Sequence, residues 1–134
     1  MNAKTMRCAL PGVFLLIVMF AAGCAARGEP AKLTAAPGKK TVLMTASNFK
    51  FDPSVIEALK GDTLVFEITN ASSTVHNFTI KDPGGRIIRS VDLPGNEQVS
   101  VEIALDEEGA YEFYCDKPFH PAMGMKGHVK ALPN

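Results

Sequence analysis

One short segment near the C-terminus, Tyr114 to Met125, carries a thiol, an imidazole and a thioether. Cys115 is followed after four residues by His120, and His120 after four more by Met125. Thiolate and thioether are soft donors and imidazole is borderline, so the set suits a copper ion cycling between Cu(I) and Cu(II). Mononuclear electron-transfer copper sites use two His and one Cys in a plane, with a weak axial thioether. The segment holds one His, so the second must come from elsewhere. The run Val75–Ile80 supplies it, because His76 alternates in phase with Phe78 and Ile80.

Each of these residues also has a plainer reading. A His in an apolar phase is ordinarily a satisfied core His, and a lone Cys a small buried apolar side chain. Cys115 instead closes an aromatic run at a strand end, and His120 lies among Pro118, Phe119 and Pro121, where no regular strand would bury it. Met123 and Met125 compete for the axial position. Met125 is in phase with Val129 and is assigned as ligand, while Met123 is assigned to an exposed apolar rim. His128 shares a phase with Lys126 and Lys130 and reads as a solvated surface His. Zinc accepts the same Cys and His donors, but that reading leaves Met125 without a role.

The elements that must position these donors show a period of two. Leu64, Phe66 and Ile68 share one face of Thr63–Asn70, and Val99, Val101 and Ile103 one face of Glu97–Ala104. Tyr111, Phe113 and Cys115 are in phase, as are Met125, Gly127, Val129 and Ala131. The run from Thr41 is apolar on both faces, so its buried side is ambiguous. Turn signals separate the runs, among them Lys60-Gly61-Asp62, Asp82-Pro83-Gly84-Gly85 and Leu93-Pro94-Gly95-Asn96. No segment has a helical period. The expectation is an all-β Greek-key sandwich or barrel of about seven to eight strands, with Tyr111 tying a loop to the sheet at a corner.

The N-terminus reads as a targeting segment. Lys4 and Arg7 precede an uncharged apolar run, Ala9 to Ala22, that is short for a membrane span of roughly 20 residues. Ala21-Ala22-Gly23-Cys24 resembles the lipobox of bacterial lipoproteins, which implies cleavage before Cys24 and lipidation of its thiol. The expected organisation is a signal peptide at 1–23, a lipidated flexible tether at 24–40, rich in Ala, Pro, Gly and Lys, and a copper-binding domain at 41–134. Export would leave Cys115 as the single unmodified thiol of the domain, with no partner for a disulfide. A lone thiol outside the cytoplasm is exposed to oxidation unless something occupies it. Formal charge is +0, from 14 basic and 14 acidic residues, which lacks the basic footprint of a nucleic-acid binder.

The ligand loop and its flanks resemble the cupredoxins, the small blue-copper proteins, over the whole domain from about Thr41. That family carries a His on an early strand, then Cys, His and Met on the loop joining the last two strands. Met125-Lys126-Gly127-His128-Val129 matches its M-x-G-x-V ending. His120 to Met125 is similar to the pseudoazurin branch, the longer Cys-to-His spacing to azurin or rusticyanin, and His76-Asn77 to azurin. The subfamily stays open. The resemblance implies that Asn77 links the two ligand loops by hydrogen bonds and that the exposed edge of His120 is the electron port. It implies further that Phe119, Pro121, Ala122 and Met123 form an apolar patch where a redox protein docks briefly.

The expected function is therefore a monomeric, one-electron copper carrier, tethered by lipid on Cys24 and held in the cell envelope outside the cytoplasm. The alternative is a protein that binds, stores or delivers copper without a redox partner. Of the 6 Met residues, Met1, Met6 and Met19 lie in the signal, so the domain is not Met-rich and the carrier is favoured. A copper enzyme is disfavoured. A dinuclear oxidase-type site needs a second Cys in the loop, and a multicopper oxidase or nitrite reductase needs a His flanking the Cys. Here Tyr114 and Asp116 flank Cys115.

Overall fold

A computed structural model describes residues 30–134. Among them there are ten strands and no helix. In chain order these are β1 Ala31–Leu33, β2 Lys39–Ser47, β3 Lys50–Asp52, β4 Val55–Leu59, β5 Thr63–Asn70, β6 His76–Lys81, β7 Ile87–Leu93, β8 Gln98–Ala104, β9 Gly109–Tyr114 and β10 Lys126–Leu132. A six-stranded sheet, β1-β4-β10-β9-β6-β7, packs on a four-stranded one, β3-β2-β5-β8. The pairs β1–β4, β4–β10 and β2–β5 are parallel and the others antiparallel, giving a Greek-key β-sandwich. The count exceeds the expected seven to eight because β1 and β3 are three-residue strands that show no period of their own.

The period-two signal becomes the core. Leu64, Phe66 and Ile68 of β5 are fully buried, and Val101 and Ile103 of β8 nearly so. The structure also settles β2: Val42, Met44 and Ala46 face inward, while Leu43 is 75% exposed. Phe51, Phe66, Phe78 and Phe113 form the centre, Phe51 meeting Phe78 and Phe113 edge-on at 5.9 and 5.6 Å between centroids. Each such ring contributes about 1.5–3 kcal/mol by burial. Tyr111 forms the expected corner. Its hydroxyl accepts from the Glu107 amide at 3.0 Å and donates to the Glu107 carbonyl at 3.3 Å.

The tether expected over 24–40 requires correction. Its residues 24–29 lie outside the described residues, but Ala31–Leu33 pair with β4, and Ala31 and Leu33 pack on the core. Lys40, the last residue of the expected tether, is 13% exposed at its side chain. Its ammonium donates to the Leu33 and Ala35 carbonyls at 2.6 and 3.0 Å and to Asp62 at 2.8 Å. An edge strand of three residues with a single large apolar side chain is too short for any period to reveal. Its partners, on β4 and in the turn at Asp62, are remote in sequence.

Candidate metal centre

Chain direction brings the candidate donors to one pole of the sandwich. His76 opens β6 opposite Leu93 at the end of β7. Cys115 directly follows β9 and Met125 directly precedes β10, and these strands are antiparallel neighbours. The Cys115 amide donates to the Met125 carbonyl at 3.0 Å, and the Met125 amide to the His120 carbonyl at 3.0 Å. Further bonds, from His120 to Lys117 and from Met123 to Phe119, brace the loop with its own backbone. Phe119 adopts φ 67°, a left-handed conformation that costs a bulky residue on the order of 1–2 kcal/mol. Such departures persist where surroundings fix them, often at functional sites.

His76, Cys115 and His120 each offer one donor atom, and these lie within 4.8 Å of one another. His120 Nδ1 is 3.2 Å from His76 Nδ1 and 3.3 Å from Cys115 Sγ. Among the described residues no other group of three His, Cys, Asp or Glu is so placed. His76 is 1% exposed, and burial, with the nearby His120 adding to it, holds its imidazole below the usual pKa. Burial thus favours the neutral imidazole that metal ligation needs. Cys115 and Met125 are fully buried, whereas Met123 is 61% exposed. Two imidazoles, one buried thiol and a buried thioether residue bonded through its backbone to both loop donors fit a single copper ion.

Comparison with known proteins supplies the family. The model of the cupredoxin-like domain matches residues 12–130. The chain belongs to the cupredoxin-like family. No curated protein matches it. Among solved structures, it is similar to auracyanin A, a "blue" copper protein from Chloroflexus aurantiacus, at 19% identity and TM-score 0.62, over 71% of this chain and 100% of that one. Dithionite-reduced auracyanin from Roseiflexus castenholzii gives 20% identity and TM-score 0.61, over 69% and 97%. The metal-binding domain of the Cu(I)-exporting P-type ATPase CopA of Streptococcus pneumoniae, solved with Cu(I), gives 17% and 0.60, over 78% and 96%. At such identities the likeness shows the shared fold.

Around the donors of this cupredoxin-like domain, two residues stand out that sequence patterning passed over. Phe49, in the β2–β3 turn at φ 60°, meets His120 edge-on at 5.2 Å. Phe51 in the core anchors β3 and so holds that turn against the site. Ser72, in the β5–β6 loop, places Oγ 2.9 Å from His76 Nε2. Neither lies in the motif; Asn70-Ala71-Ser72-Ser73 has the composition of a turn, which marks a loop but not what it faces. Asn77 differs from expectation. Alternation turns it away from His76, and its amide donates to Ser90 Oγ at 3.2 Å while its carbonyl accepts from Thr79 at 2.6 Å. A direct side-chain tie between the β6–β7 ladder and the ligand loop is made instead by Lys117, which donates to Asp92 at 2.9 Å. Asp92 is the residue opposite Asn77 in the β6–β7 ladder. His128 is half-buried between β4 and β9 and lies outside the donor group.

Proposed function

We propose that this chain is a one-electron carrier, with His76, Cys115, His120 and Met125 holding a single copper ion that supplies the Cu(I)/Cu(II) couple. The observation that carries the reading is the convergence of one donor atom each from His76, Cys115 and His120 within 4.8 Å, with His120 Nδ1 3.2 Å from His76 Nδ1 and 3.3 Å from Cys115 Sγ, at the pole where Met125 is buried. Three of the four donors sit at strand ends and the loop is braced by its own backbone, so the donors move little when charge at the site changes. His120 is only half-buried, and Phe119, at 81% exposure, and Met123 stand beside it. With Ala122 and Pro121 they offer an apolar patch for brief contact with a redox protein, at the small end of interface sizes. This reading assigns the chain no enzymatic reaction. Export, lipidation of Cys24, attachment to a membrane facing the periplasm or cell exterior, and a monomeric state complete the proposal, supported by the sequence at Lys4–Cys24.

The likeness to a domain of a Cu(I) exporter favours a second reading, in which the same donors bind and hand on copper. One experiment separates them. Residues 24–134 with Cys24→Ser are loaded with Cu(II) and examined by visible absorption and electron paramagnetic resonance. An intense thiolate-to-copper band with narrow parallel hyperfine splitting is expected for the carrier. Binding of Cu(I) with no coloured Cu(II) form supports delivery, and no copper binding defeats both.

A further inference from the structure

We infer that Ser72 is a positioning residue for the metal site: oriented by Asn70, its hydroxyl fixes His76 as the Nε2–H tautomer and aims the Nδ1 lone pair at Cys115 Sγ and His120 Nδ1. What each atom can do sets the direction of the bonds at Asn70 and favours one direction at His76. Asn70 closes β5 and is 1% exposed. Its Nδ2 faces only carbonyls, those of Thr74, Leu93 and Pro94, at 2.8, 2.9 and 3.1 Å. Its amide orientation is therefore fixed, with Oδ1 the acceptor. Oδ1 takes the Ser72 backbone amide at 3.0 Å and lies 2.9 Å from Ser72 Oγ.

Ser72 Oγ has one proton, and besides His76 Nε2 two neighbours are within reach of it, Asn70 Oδ1 at 2.9 Å and the Thr74 carbonyl at 3.2 Å. Both are acceptors only. With that proton given to Asn70 Oδ1, a lone pair of Oγ faces His76 Nε2 at 2.9 Å and receives the hydrogen that nitrogen carries. The reverse tautomer would turn the only Ser72 proton toward His76 and present Nδ1–H to the other donors. Because His76 is 1% exposed, water is poorly placed to substitute for Ser72. The chain thus runs one way, His76 to Ser72 to Asn70, and Asn70 is itself tied to the end of β7 beside His76. The inference rests on the copper reading in one respect: the Nδ1 it frees is the atom proposed to meet the metal.

The test uses protein labelled with 15N at histidine, metal-free and Cu(I)-loaded. Magnetic resonance assigns the His76 tautomer and follows exchange of its Nε2 proton, and competition measures copper affinity. The native protein is expected to show the Nε2–H tautomer before any metal is added. Ser72→Ala should mix the tautomers, speed that exchange and weaken copper about 10–100-fold, the usual cost of removing a group that orients a metal-bound His. Ser72→Thr should restore all three. Ser72→Cys, nearly isosteric, carries the comparison if the alanine variant is unstable. Native protein that binds copper with a type 1 spectrum, together with a Ser72→Ala variant of unchanged tautomer and affinity, overturns the inference and leaves the carrier standing. A Ser72-dependent tautomer in a protein that takes no copper upholds the hydrogen-bond chain and overturns the copper reading.

Discussion

At the scale of single residues, the two thioethers of the ligand loop are separated by burial rather than by type. Met123 and Met125 are chemically identical and two positions apart, yet one is mostly exposed and the other fully buried. The axial ligand tunes the potential of such a site by its donor strength and by how dry it keeps the metal. Met125→Leu preserves volume, so it should cost less than about 1.5 kcal/mol of stability. It should keep the coloured Cu(II) form while raising the reduction potential, since loss of a donor disfavours Cu(II); Met123→Leu should leave the potential unchanged. Voltammetry of the two variants checks the assignment, and equal shifts would reverse it.

At the scale of elements, two contacts lock strands into the register that the site needs. A Cβ at Gly127 would meet the Ser54 carbonyl and the Phe113 ring, because β10 passes tightly between β4 and the core just after Met125. Gly127→Ala should therefore destabilise by about 1–3 kcal/mol, as overpacking does, measured by denaturant unfolding. Asp62 is the second lock. Burial alone would raise its pKa, but hydrogen bonds from Lys40, Leu59 and Gly38, with the Lys40 charge, outweigh it and hold the carboxyl below its ordinary 3.8. A depressed carboxylate adds stability that is present above the unfolded pKa and fades as pH falls through the folded one. Asp62→Asn should thus cost about 1–3 kcal/mol at neutral pH. That gap should stay level down to about pH 5 and close at pH values below 3.8. A gap that persists undiminished at low pH would remove the charged form of Asp62 from the account.

For the whole molecule, the topology gathers one pole into a site and its surround. Phe119, Met123, Phe49 and Val75, all on loops or turns at that pole, are the exposed large apolar residues nearest the donors in the chain or in space. Formal charge near zero offers no evidence of long-range steering, so the proposed docking is assigned to this apolar patch. Phe119→Gly separates docking from folding, because glycine accepts φ 67° without strain. Stability should change by no more than about 1 kcal/mol, strain relief offsetting the extra freedom of the unfolded chain. The copper spectrum should be unchanged, and electron exchange with a protein partner slower. Unchanged exchange kinetics would place docking elsewhere on the surface.

The sequence by itself determined the strand faces and the donor set. Alternation in β5, β6, β8, β9 and β10 is a local property of the chain. The Cys-His-Met spacing is also local, and soft and borderline donors at that spacing name a metal without any fold. Tertiary structure decided what depends on remote partners. β1 and β3 are too short for a period, and β4 and β7 were not picked out by alternation, so all four are defined by their neighbours in the sheets. Lys40 is buried because Asp62 waits for it across the turn after β4. Asn77 serves the β6–β7 ladder, since a period of two sends it away from the side His76 occupies. Ser72 and Phe49 reach the site through loops whose residue types are common in any turn, and only the closure of the two sheets brings them against His76 and His120.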